Sequence, residues 1–171
     1  MKILASVLLA GFVMFGQQAI AKDDPAPEKI GNWIFSTHYD SSDGSIGYTL
    51  ESSTDTGESA LVAGCYSNLK IRLISFTSIQ SLREKPFDEK DIVIAKVDNK
   101  ENAPYIWQLV SMNGHTGLIS SESEEFLKGL ENGNKLVLGV LSKGGTPLHL
   151  AQFSLKGFDR SYQKFQSACS K

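Results

Sequence analysis

Past residue 15 the chain has no apolar run approaching the roughly 20 residues needed to cross ~30 Å of hydrocarbon, so no later segment is expected to span a membrane. It also lacks a basic stripe. Its 17 Lys and Arg are interspersed with 19 Asp and Glu for a net charge of −2, which argues against nucleic acid and anionic membrane as partners. With two cysteines, three histidines and no C-x-x-C, little remains from which to build a zinc site. There is no G-x-S-x-G elbow, no P-loop and no G-x-G-x-x-G, so the common motif-borne nucleophiles and phosphate cradles are excluded. No metal and no cofactor is expected.

Catalytic triads are spatial, so the histidines still need a reading. His38 and His149 fall inside strand patterns, and His115 follows a tight turn; each reads as an ordinary strand histidine. Asp40-Ser41-Ser42-Asp43-Gly44 misses calcium-loop spacing and reads as turn chemistry. Glu122, Glu124 and Glu125 stand where a helix start would favour them through its dipole. No catalytic set emerges, and the chain is expected not to be an enzyme.

What is present begins at residue 1. Lys2 precedes a short apolar run from Ile3 to Phe15, and Ala19 and Ala21 supply small residues at the −3 and −1 positions of a cut. That is the layout of a bacterial Sec signal peptide, cleaved after Ala21. Residues 22–29, polar and proline-bearing, read as a flexible leader, and residues 30–171 as one domain, periplasmic or secreted. In such a compartment two cysteines invite a bridge. Cys65–Cys169 would close a loop of about 100 residues, for which chain entropy gives at most ~4.7 kcal/mol, and would tie a last helix to a central strand.

The pattern after residue 30 has mostly period two. Strands are expected at 33–39 and 46–52 around Asp43-Gly44, at 60–66 and 69–76 around Ser67-Asn68, and at 92–97. A polar turn at 98–102 should lead to a strand at 105–112, and Asn113-Gly114 should return it into 115–119. Residues 135–141 are apolar on both faces, which suits a central strand; Gly144-Gly145 leads into 148–155. Two helices fit: 122–130 with Phe126, Leu127 and Leu130 inward, and 158–168 with Phe158, Tyr162, Phe165 and Cys169 on one face. The fold class is mainly β, an antiparallel sandwich or curled sheet with one short inserted helix and one C-terminal helix.

The longest stretch without a strand pattern is 77–91, where Ile79, Leu82, Arg83, Pro86 and Phe87 combine apolar and charged character. It is the candidate partner-binding loop, although Leu82 and Phe87 would serve as well to cover one end of the core. Trp33 and Trp107 read as core anchors rather than exposed binding aromatics.

Gly31-Asn32-Trp33, the strand carrying Cys65, Lys96-Val97-Asp98 followed by Trp107, Ser121 ahead of Phe126-Leu127, Lys135 to Val140, and Phe153-Ser154-Leu155-Lys156-Gly157-Phe158 with Cys169 together form a pattern of core and turn positions. That pattern resembles the type VI secretion-associated VasI/TagO proteins and is similar also to the invasion-associated locus B family. Either resemblance implies a small exported β-rich domain with a cysteine bridge and no established catalytic residues. It implies an accessory that binds an envelope or secretion-system protein, or a role in host interaction. An envelope enzyme or small-ligand binder would instead gather His38, His115 or His149 with acids in a deep pocket. An immunity-type inhibitor would use the charged loop as its plug.

Overall fold

The computed structural model describes residues 24–66, 71–78, 92–101, 107–112, 115–120, 123–142 and 144–170. The candidate loop residues Ile79, Leu82, Arg83, Pro86 and Phe87, and Ala19 and Ala21 of the expected cut, lie outside these residues. Among the described residues the chain forms two antiparallel sheets and two helices. The seven-stranded sheet runs in the order β1 (Glu28–Ile30), β2 (Trp33–Tyr39), β3 (Ile46–Ser53), β4 (Ser59–Tyr66), β5 (Ile71–Ser78), β9 (His115–Ser120), β8 (Gln108–Met112). The four-stranded sheet runs β11 (Pro147–Ser154), β10 (Lys135–Leu141), β6 (Ile92–Val97), β7 (Lys100–Glu101).

The expected strand pairings form, the turns expected at 67–68 and 113–114 lie outside the described residues, and the turn between β2 and β3 shows how one of them closes. Between β2 and β3, Asp40 Oδ1 accepts from the Ser42 N–H at 2.8 Å, Asp43 Oδ1 accepts from the Ser45 N–H at 2.8 Å, and Gly44 takes φ 74. Side chains that bond their own backbone two residues on make this loop turn without a metal. Structure also begins earlier than residue 30. Glu28 and Lys29 pair with Phe35 and Ile34, and Asp24 Oδ1 accepts from the Tyr39 N–H at 2.9 Å, so the end of the expected leader is tied down.

One connection differs from the expectation. Asp98 and Asn99 both take positive φ, the two-residue hairpin pattern, and return the chain at once into β7 rather than through a longer turn. The strands on either side, β6 and β8, then lie in different sheets. The cause is non-local: both Asp98 carboxylate oxygens accept from backbone N–H groups of Asn134 and Lys135, at 3.0–3.2 Å, and β6 is drawn alongside β10.

The core lies between the sheets and under the helices. Trp33, Leu50, Leu61, Ile74, Phe76, Phe126, Leu136, Leu138, Val140, Phe153 and Phe158 are fully buried. Helix α1 (Ser123–Lys128) buries Phe126 and Leu127, and it ends two residues sooner than expected. The Leu130 N–H bonds back to Leu127 at 3.0 Å and Asn132 enters the left-handed region at φ 61, which tightens and stops the helix while keeping Leu130 buried.

Helix α2 (Phe158–Cys169) docks across β1, β2 and β3 by the expected stripe of Phe158, Tyr162 and Phe165. Its entry depends on two glycines that cross backbone to backbone. A Cβ at Gly31 would collide with the Lys156 carbonyl, and one at Gly157 (φ 86) with the Ile30 carbonyl. The Asn32 N–H donates to Lys156 O at 3.0 Å at this crossing, which seats the Phe158 ring edge-on to Trp33 at 4.8 Å. The far end is held covalently: Cys65 in β4 and Cys169 form a disulfide with Cα atoms 6.0 Å apart, across 104 residues of sequence. β4 is the middle strand of its sheet, as expected.

Candidate functional site

His38 and His149 do not come together. His38 lies on β2, with Nε2 3.3 Å from Thr49 Oγ1 and Nδ1 3.8 Å from Asp24 Oδ2. Burial lowers its pKa, and the Asp24 carboxylate pulls partly the other way. The order Asp–His–Thr resembles a catalytic array, but Thr49 sits in mid-strand at 6% exposure, and Asp24 is also bonded to the Tyr39 backbone. The geometry suits a clasp of the N-terminal segment onto the sheet. His149 lies on β11 in the other sheet, with Nε2 3.1 Å from Ser59 Oγ of β4 and its ring 5.6 Å from that of Phe76. Burial lowers its pKa too, against the pull of Glu58. His149 therefore links the two sheets at the rim of the core. His115 opens β9.

No group of three or more His, Cys, Asp or Glu able to hold a metal occurs among the described residues. A cavity of about 220 Å³ opens beside Glu51, lined also by Lys29, Asn32, Ile34, Ser52 and Ser53. Burial alone raises the Glu51 pKa. The cavity is below the ~300 Å³ at which organic-ligand sites begin. Both tryptophans serve packing: Trp33 is fully buried and its Nε1 donates to Ser154 O at 3.2 Å, while Trp107 packs edge-on to Phe126 at 5.5 Å.

The most distinctive surface is the outside of the four-stranded sheet. In β10, Leu136, Leu138 and Val140 enter the core, so Val137, Gly139 and Leu141 face the other way. Gly139 stands between Ile94 of β6 and Leu150 of β11. A Cβ there would run into the Leu150 side chain and come within 3.3 Å of Ile94, so glycine leaves room for those two side chains to close over the strand. The result is an apolar strip of Ile94, Val137, Leu141 and Leu150, bordered by Lys96 and Lys135. Leu150 is 52% exposed, one of two large apolar side chains so open among the described residues.

Sequence reasoning placed a site in the loop at 77–91 and did not single out this strip. Its signal was the two-faced apolar pattern of residues 135–141, which was read as central burial. The strand is central within its sheet, but only one of its faces meets the core.

These features define a two-sheet β-sandwich, closed by a C-terminal helix and stapled by one disulfide. Among solved structures the chain is similar to the crystal structure of invasion associated protein b from Bartonella henselae. The TM-score is 0.61 at 13% identity, covering 86% of this chain and 100% of that one, a likeness of fold. No family model matches the sequence, and no curated protein matches it. The fold likeness thus falls on the invasion-associated side of the two resemblances. The disulfide fits an oxidising, non-cytoplasmic compartment, and no described helix is long and apolar enough to cross a membrane.

Proposed function

We propose that the protein is exported, is periplasmic or secreted, and works as a non-enzymatic adaptor that binds another envelope or secretion-system protein. The observation that carries this reading is the apolar strip on the outside of the four-stranded sheet, with Leu150 half exposed at its edge. Contiguous apolar surface rimmed by polar residues is characteristic of contact sites. The disulfide supports export, and the two histidines lie on different sheets, His38 beside Asp24 and Thr49 and His149 beside Ser59.

The likeness to an invasion-associated protein favours a second form of the same reading, in which the partner is a host molecule rather than an envelope component. A type VI accessory role is the envelope form. Position-specific capture separates them. Val137→Glu places a charge in the strip, and we expect it to abolish recovery of a defined partner from either envelope extract or host-cell extract, while the fold and the disulfide persist. Unprocessed protein in the cytosol, or turnover of a cell-wall substrate that disappears on replacing His38 or His149, would contradict the proposal.

A further inference from the structure

The outer face of the seven-stranded sheet holds an acid that the fold leaves without a partner. Phe35, Leu50, Ala63 and Ile74 stand opposite one another across β2 to β5 and enter the core. Ile34, Glu51, Val62 and Ser75 form the next row and face the other way. The register extends that row to Lys29 of β1, opposite Ile34. Glu51 is therefore a half-buried acid in mid-strand, with an apolar residue directly opposite it on either side. Sheets favour a charge matched by its opposite on the adjacent strand. Among the described residues the Glu51 carboxylate accepts no hydrogen bond and makes no ion pair, and burial alone moves its pKa. Withdrawing a carboxylate from water is costly unless a partner offsets it, and the fold supplies none.

Glu51 lines the cavity of about 220 Å³, together with Lys29, Asn32, Ile34, Ser52 and Ser53. Asn32 is fixed there by its backbone: its N–H donates to Lys156 O at 3.0 Å, and its carbonyl accepts from Ser52 Oγ at 3.1 Å. The Asn32 side-chain amide and the Ser53 hydroxyl are exposed and make no hydrogen bond among the described residues. Lys29 and Glu51 are not paired with each other. They stand two strands apart in one row, about 10 Å at ~4.8 Å per strand, with Ile34 between them. The cavity thus presents one charge of each sign across an apolar floor, with two neutral polar groups beside them. Its volume is that of about seven waters at ~30 Å³ each. A drug-sized ligand does not fit, whereas a charged molecule of fewer than about ten heavy atoms does.

We propose that this cavity binds a small zwitterionic amino acid, its ammonium on Glu51 and its carboxylate toward Lys29, Asn32 and Ser53. Both charges of the ligand are needed. A plain cation would meet Glu51 but be repelled by Lys29, and a plain anion would meet the reverse. A zwitterion answers each wall with its opposite charge, and Ile34 receives a short apolar side chain. Three ammonium hydrogens give the Glu51 carboxylate the charged donors that Ile34 and Val62 cannot provide. The cavity lies on the seven-stranded sheet and the apolar strip on the four-stranded one. This inference goes beyond the adaptor reading and does not require it.

The test is an NMR titration of the disulfide-bonded protein with glycine, alanine and serine through the millimolar range, beside methylamine and acetate, which each carry one of the two charges. At least one amino acid should shift the amides of Ile34, Glu51 and Ser53 along a saturating curve, and methylamine and acetate should each bind about tenfold or more weakly. Glu51→Gln keeps the side chain's shape, removes its charge and should weaken binding about tenfold or more. Lys29→Met should weaken it less, because an exposed ammonium is screened by water. The unsubstituted protein gives a further readout that needs no variant to fold: the Glu51 carboxyl should titrate at lower pH when the amino acid is bound. No saturating shift with any of the three, methylamine binding as tightly as the amino acids, or binding indifferent to Glu51→Gln would each overturn the proposal. Val137→Glu, on the other sheet, should leave this binding unchanged whether or not it abolishes partner capture, and its loss there would place the ligand elsewhere.

Discussion

The two sheets of this molecule are finished differently. The seven-stranded sheet is closed on its inner face by α2, stapled through Cys65–Cys169, and ended on one side by the short β1 with its Glu28–Lys164 pair. The four-stranded sheet has no covalent tie, ends in a plain neutral strand, and leaves Leu150 half exposed beside Ile94 and Val137. The difference teaches where each half's stability and contacts reside. Reinforcement is concentrated where the helix must stay docked, and the unreinforced sheet is the one that leaves Leu150 half exposed.

The comparison is broken most severely at the staple. Cys169→Ser should cost about 2–5 kcal/mol in denaturant unfolding. Amide exchange should show α2 loosening first, with β10 and β11 little changed; equal loosening in both sheets would remove the distinction between them. Next in size is Gly157→Ala. It forces a side chain into the left-handed region against the Ile30 carbonyl and should cost about 1–3 kcal/mol by thermal or chemical unfolding.

A smaller effect sharpens the contrast through pH. The His38 and His149 pKa values are lowered by burial, so the unfolded chain takes up protons below the ordinary value of 6.5 before the folded chain does. Stability should therefore fall as pH drops below 6.5, and His149→Gln should flatten that slope. Asp98 acts at lower pH: backbone donors from Asn134 and Lys135 hold its pKa below the usual 3.8, so its contribution is full above 3.8 and is lost as pH falls through the lowered value. Melting curves across pH for the parent chain, His149→Gln and Asp98→Asn separate the two. The smallest effect on stability belongs to Leu150→Lys, within about 0.5 kcal/mol, because an exposed side chain changes little in the fold. Its effect should appear in association instead.

Much of this architecture was legible in the sequence because it is local. Asp43-Gly44 announces its hairpin, the stripe from Phe158 to Cys169 announces the closing helix, and two cysteines in an expected exported chain announce their bridge. What was not legible depends on residues far apart. That β6 leaves β8 for β10 follows from Asp98 meeting Asn134 and Lys135, thirty-six and thirty-seven positions away. The strand at Glu28–Ile30 is too short for a periodic signal, and its place is fixed by the Gly31–Gly157 crossing. Similarly, an apolar pattern on both faces of residues 135–141 states that both faces want cover. It does not state which one the chain itself supplies.

The most direct test is photo-crosslinking in living cells, with the reactive side chain placed in turn at Leu150 on β11 and at Gln163 on the exposed side of α2. The account predicts discrete protein adducts from position 150 and none from position 163. Adducts from the helix alone, or equally from both positions, would contradict it.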